Sequence, residues 1–204
     1  MHNYIIRRGK IEDSDKIADI FLMAGGNAIK WVLGKKCESM LKGATKLENS
    51  PFSHNVTYVF EIAGEFTGAV VAYPIEMERR LNNGLDGLWS KYLNIFDLIS
   101  LGFRIKKWEK NFKKPKNCYY FHALAVFPQF RGLGIATKLL EYEEEIAKNN
   151  GQSSLALEVI SNNKPAYRLY QKFGFKIISS VPVISLSRSF KNDNRFIFLM
   201  KKDI

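Results

Sequence analysis

The stretch Tyr119-Tyr120-Phe121-His122-Ala123-Leu124-Ala125-Val126, followed shortly by Gln129-Phe130-Arg131-Gly132-Leu133-Gly134, decides how this chain folds. The first eight residues are aromatic and apolar and read as a buried strand. Beyond the glycines, Ile135, Ala136, Leu139, Leu140, Ile146 and Ala147 recur at helical spacing, with Lys138, Glu141 and Glu144 on the other side. Asn149-Asn150-Gly151 ends that helix. The glycines therefore fall at a strand-to-helix turn. Gly132 and Gly134 let backbone approach a ligand closely. The free N–H groups of the first helical turn, helped by the helix dipole, suit a phosphate or pyrophosphate. Two glycines alone fit an ordinary connection equally well. The dinucleotide fingerprint is absent, because Gly-Leu-Gly-Ile-Ala-Thr lacks its third small residue at the right step, and no Gly-Lys-Ser/Thr makes a P-loop.

A second segment changes the balance. Leu155-Ala156-Leu157-Glu158-Val159 reads as another strand. Asn162-Asn163-Lys164-Pro165 starts a helix, with proline near its first position, and Phe173-Gly174-Phe175 closes it on a glycine. Asn163-x-x-Ala166-x-x-Leu169-Tyr170-x-x-x-Gly174-Phe175, taken with Gln129-x-x-Gly132-x-Gly134, resembles the GNAT superfamily of acyl-CoA N-acyltransferases. The motifs stand in that family's order and at its separation, and cover roughly residues 119 to 176.

The resemblance implies acetyl-CoA as co-substrate and acetyl transfer to an amine. It implies that backbone of Leu124, Ala125 and Val126 pairs with the pantetheine arm. The turn Arg131, Gly132, Leu133, Gly134, Ile135 and Ala136, with Thr137 adjacent, would hold the pyrophosphate. Arg131 either pairs with a phosphate oxygen or is a solvated loop arginine. Asn163 resembles the family asparagine beside the pantetheine, and a helix cap alone would also explain it. Tyr170 matches the tyrosine that serves as general acid to the departing thiolate, against a plain core aromatic. Glu158 stands five residues before Asn163 and twelve before Tyr170, intervals similar to those of the ribosomal-protein N-terminal acetyltransferases of this family. By resemblance it is the general base; the alternative is a half-exposed strand residue in a salt bridge. His122 is a rival base from strand position and an unperturbed pKa near 6.5. The three histidines and two cysteines are scattered, so no metal-ligand spacing is visible and no metal is expected.

Bulk properties bound these readings. The chain has 204 residues, 46% of them hydrophobic, enough for one packed domain over 1–204. The formal net charge of +11 suits an acidic ligand. Cys37 and Cys118 are read as reduced. Leu85 to Phe103 is too polar for a spanning helix, so no membrane and a cytoplasmic setting are expected. A non-catalytic acyl-CoA-sensing domain is the second reading. A nucleic-acid-binding module is the third, from the run Arg104 to Lys116 with its seven basic residues and one acid. A homodimer is possible.

Along the chain, the spacing predicts the order β-α-α-β-β-(helical insert)-β-α-β-α-β-β, an α/β domain with a mixed, mostly antiparallel sheet flanked by helices. Asp13 or Ser14 would cap the first helix, and Gly25-Gly26 would break it. Gly34 and Gly43 would interrupt the second helical region. Ala63-Gly64-Glu65 joins a hairpin. The insert, residues 74–118, carries Leu85, Leu88, Trp89, Tyr92, Leu93, Phe96, Ile99 and Phe103 on one helical face. It is a lid, a cover for sheet surface or a dimer contact. With residues 179–194 it is expected to shape the acceptor pocket.

Overall fold

The computed structural model describes residues 3–85, 87–187 and 193–204. Seven strands form one sheet in the order β1-β2-β3-β4-β5-β7-β6, where β1 is Tyr4–Arg8, β2 Thr57–Ile62, β3 Glu65–Pro74, β4 Cys118–Val126, β5 Ser154–Ile160, β6 Lys176–Pro182 and β7 Phe196–Asp203. Every neighbouring pair is antiparallel except β4–β5. That parallel pair is joined by helix α5, Ile135–Asn149, as a parallel crossover requires. The expected element order holds throughout: α1 is Ser14–Leu33, α2 Cys37–Thr45, α3 Glu78–Asn83, α4 Ile95–Asn111 and α6 Lys164–Lys172.

Strand alternation divides the core in two. On β3, Ala69, Val71 and Tyr73 face α1 and α2, packing with Ile17, Phe21 and Leu41. Val70 and Ala72 face α5, packing with Leu139, Leu140 and Leu157. On β4 the alternation reverses partway. Tyr119 and Phe121 lie on the α5 side, yet Ala123 lies on the α1 side and Val126 on the α5 side again. The cause is a bulge: Val71 pairs with Ala123 and Ala72 with Phe121, so His122 is the extra residue.

Several local readings of the helices are corrected. Asp13 does not cap α1 with its side chain; its carboxylate meets Arg7 at 2.7 Å and accepts the Lys10 N–H. Gly26, by contrast, does break the helix as expected: at φ 49 and ψ −128 its backbone is non-helical, and two helical segments of α1 meet there across a kink. Gly43 lies inside α2 because the Tyr92 hydroxyl packs against it, 2.5 Å from where a Cβ would sit.

The insert's apolar face splits in two. Leu85, Leu88, Trp89, Tyr92 and Leu93 pack against α1 and α2. Phe96 and Phe103 are 79% and 70% exposed, because α4 starts only at Ile95 and presents Leu101, Ile105 and Phe112 inward instead. Gly102 does not break α4. The final strand β7 is paired on both edges, and its apolar run suits that central place. Cys37 and Cys118 are both free thiols and buried.

Candidate active site

β4 and β5 are bonded only from Cys118–Ser154 to Phe121–Leu157. Beyond that point β4 stays with β3 as far as Val126, while β5 stays with β7 as far as Ile160. The strands part, and the β5-facing edge of β4 from His122 onward has no strand partner. Leu124, Ala125 and Val126 lie on this open edge, where an extended chain with its own amides can add as a further strand.

The edge leads to the glycine turn. Gly132 and Gly134 have φ of 82 and 76, and a Cβ at either would meet nothing within 4 Å. Glycine is required here by backbone conformation and not by crowding within the protein. Gly134 is the N-cap of α5 and provides no side-chain cap. The first helical bond runs from the Lys138 N–H to the Gly134 carbonyl at 3.1 Å. The N–H groups of Ile135, Ala136 and Thr137 are left to a ligand. These residues, with Gly132, Gly134 and Arg131, line a cavity of about 380 Å³. Arg131 donates from Nε to the Val126 carbonyl at 3.2 Å, which holds its guanidinium over the turn. Leu133 is 58% exposed and does not line the cavity, so only its backbone can take part.

A second cavity, of about 560 Å³, lies on the insert side. Ala24, Leu124, Asn163, Ala166 and Tyr170 line both, so the two share a wall. Asn163 caps α6 by accepting the Ala166 N–H at 3.3 Å and faces the cavities as well. The helix-cap reading is thus met, and the residue's place on the cavity wall leaves its side chain open to a ligand. Tyr170, on the inner face of α6, rests its ring against Phe175 with centroids 5.8 Å apart. Burial raises its phenol to about 12, so it stays protonated at neutral pH.

Glu158 and His122 both line the larger cavity. The Tyr120 hydroxyl donates to Glu158 Oε1 at 2.5 Å. Glu158 makes no salt bridge among the described residues; its strongest contact is this neutral donor. Burial raises its pKa; the Tyr120 hydrogen bond, the charge of Lys114 and a Trp108 hydrogen bond oppose that rise, and Glu78 adds to it. His122 stacks on Tyr73 at 4.3 Å, with Nδ1 3.5 Å from the Tyr73 hydroxyl, and its Nε2 is buried without a hydrogen-bond partner. Burial, reinforced by Lys114, holds its pKa well below 6.5, so it is a neutral imidazole.

Sequence reasoning missed the residues around these two. Tyr120 and Glu158 meet because Tyr120 registers with Ala156 on the parallel neighbour, and Glu158 follows two residues on, on the same face. That signal is present once the pairing is known. Lys114 forms an ion pair with Glu78 and places its ammonium 4.4 Å from the Tyr120 ring centre. Both come from the insert, as do Trp89, Trp108 and Phe112 on the same wall. The insert therefore helps to enclose the second cavity, as expected. None of the described residues between 179 and 194 lines it, and 188–192 lie outside the described residues.

Comparison with known proteins gives the family and the fold. The model of the acetyltransferase (GNAT) family matches residues 39–175. N-alpha-acetyltransferase 30 of Schizosaccharomyces pombe is 38% identical over 56 residues, 28% of this chain and 37% of that protein. Thialysine N-epsilon-acetyltransferase of Mus musculus is 42% identical over 55 residues, 27% of this chain and 32% of that protein. The matched stretches thus span about a third of these curated relatives. A crystal structure described as an acetyltransferase superposes over 98% of this chain and 99% of its own, at 25% identity and a TM-score of 0.69. An N-acetyltransferase from Staphylococcus aureus Mu50 has the same fold at 20% identity and a TM-score of 0.70, over 97% and 99% of the two chains.

Proposed function

The chain belongs to the GNAT family of acetyltransferases, and from that premise we propose that it moves an acetyl group from acetyl-CoA directly to a primary amine. One observation carries the reading. The open edge of β4 runs from the uncapped amides of α5 to the wall where Tyr170 borders both cavities, with Glu158 facing the second. The pyrophosphate takes the amides of Ile135, Ala136 and Thr137. The pantetheine arm lies along Leu124 to Val126 and brings the thioester to Tyr170.

An ammonium entering the second cavity gives a proton to Glu158. The free amine forms the C–N bond at the thioester carbonyl. Collapse of the adduct breaks the C–S bond, and sulfur takes its proton as it leaves. The nitrogen loses its second excess proton, and one proton goes to solvent for each amide and free thiol formed. With a phenol pKa of about 12, complete transfer to a free thiolate, near 8.5, is uphill. Tyr170 therefore acts by donating a hydrogen bond to sulfur while charge develops there, with solvent restoring any proton it gives up. Glu158 is favoured over His122 as base because burial makes His122 a weak proton acceptor and strengthens Glu158 as one.

The test is incubation with acetyl-CoA and a panel of amines, following free thiol and the mass of the acetylated product. Calorimetric binding of acetyl-CoA with no thiol release from any amine would reduce the protein to an acyl-CoA-binding domain.

A further inference from the structure

The charge of the whole chain and the charge of the acceptor cavity have opposite signs. The chain carries a formal +11. Among the described residues, the charged groups on the wall of the larger cavity are Glu78, Glu109, Glu158 and Lys114. Lys114 is committed: it pairs with Glu78 and lies over the Tyr120 ring. His122 adds no charge, since burial keeps it neutral. A basic protein has thus built an acidic acceptor cavity, and its exposed lysines on α4, such as Lys106, Lys107 and Lys110, face away from it.

Apart from Asn82, His122, Asn163 and the hydroxyls of Tyr120 and Tyr170, the rest of the wall is apolar. Phe21, Ile29 and Val32 come from α1, and Trp89, Trp108 and Phe112 from the insert. Such a wall rewards an apolar body over a densely hydroxylated one, whose groups outnumber these few polar partners. A carboxylate on the acceptor would meet Glu158 and Glu78 without a free cation to pair with.

Resting on the proposed acetyl transfer, we infer that the acceptor class is a primary monoamine on an uncharged aryl or alkyl body. The ammonium sits at the Glu158 end and the body lies against Trp108 and Val32. Glu78, from the insert, is then a specificity-determining residue. By neutralising Lys114 it keeps the end of the cavity from attracting anions.

Phenethylamine and phenylalanine test this directly, since they differ by one carboxylate. Wild-type kcat/KM with acetyl-CoA should favour phenethylamine by at least about tenfold, and should favour it likewise over spermidine and kanamycin. A preference for phenylalanine, spermidine or kanamycin would overturn the inference while leaving acetyl transfer intact. Glu78→Gln frees Lys114, so KM for phenethylamine should rise and the ratio to phenylalanine should shrink severalfold. A folded Glu78→Gln variant with the wild-type ratio would overturn the role of Glu78 and the charge argument with it. Calorimetry on protein saturated with CoA separates binding from chemistry. Phenethylamine that binds but is never acetylated would support the acceptor class and overturn the proposed reaction. Absence of phenethylamine binding would overturn the class.

Discussion

The cavity under the Gly132–Gly134 turn and the cavity beneath the insert share one wall, with Tyr170 in it, and differ in how the rest is built. The first is built mostly from backbone: an unpaired strand edge and the uncapped end of α5. The second is built from side chains, drawn from α1, the insert, β4 and β5. A phosphate is recognised by amides that almost any sequence can supply once the chain turns correctly. An amine with its body is recognised by particular carboxylates and rings. The first kind of site tolerates side-chain change and depends on φ; the second tolerates backbone adjustment and depends on residue identity.

Tyr170, where the cavities meet, is the place to break this division. Tyr170→Phe should lower turnover by ~10²-fold, the effect of a positioned proton donor. Acetyl-CoA affinity should remain close to that of wild type, because the hydroxyl acts only as sulfur departs. Full turnover at saturating substrates would make Tyr170 a packing residue against Phe175.

The turn comes next. Gly134→Val forces a β-branched residue to a φ of 76, where side chains are strained. No protein atom crowds the new Cβ, so the loss acts through the amides that the turn aims. Acetyl-CoA affinity should fall by more than about tenfold, measured by calorimetry on folded protein. The ranking of amine acceptors should be unchanged. A changed ranking with unchanged affinity would reverse the roles of the two cavities.

Glu158→Gln sharpens the comparison from the acceptor side. Turnover should fall by roughly tenfold or more near neutral pH and recover in part by about pH 9.5, where more of the acceptor amine is already neutral. Acetyl-CoA affinity should be untouched. His122→Ala should keep the wild-type pH profile, because that imidazole is held neutral. An equal loss for Glu158→Gln at every pH would remove it as the base, and a pH-dependent loss for His122→Ala would put that residue in its place.

The smallest effect on activity belongs to Glu143, on the buried face of α5. It accepts the Tyr119 hydroxyl at 2.8 Å, and burial raises its pKa from 4.5 to about 8. A carboxyl raised in the folded state contributes stability that is complete below its unfolded pKa and is lost as pH rises through the folded one. The melting temperature of wild type should therefore decline from about pH 4.5 to above pH 8 through this group. Glu143→Gln should flatten that part of the curve. Identical pH dependence in the two proteins would show that Glu143 is ionised in the fold.

The glycine turn and the cavity beneath it were legible in the sequence because their determinants are local. A strand, two glycines and an amphipathic helix are contiguous from Tyr119 to Asn149, and Asn163 and Tyr170 keep their spacing on one short helix. The element order followed from the same local periodicity. Tertiary structure alone decided the rest. His122 is a bulge residue only because β3 pairs one residue out of step there, and that extra residue reverses which side chains of β4 face α5. Tyr120 reaches Glu158 only through the β4–β5 register. Lys114 finds Glu78 across 36 residues of the insert. The split of the insert's apolar face depended on where α4 begins, which its helical spacing did not disclose. The sequence determined the order of the elements and the Asn163 cap, where neighbours along the chain set the energy. The charge of the larger cavity arose from contacts between segments far apart in the chain, whose partners are chosen by packing.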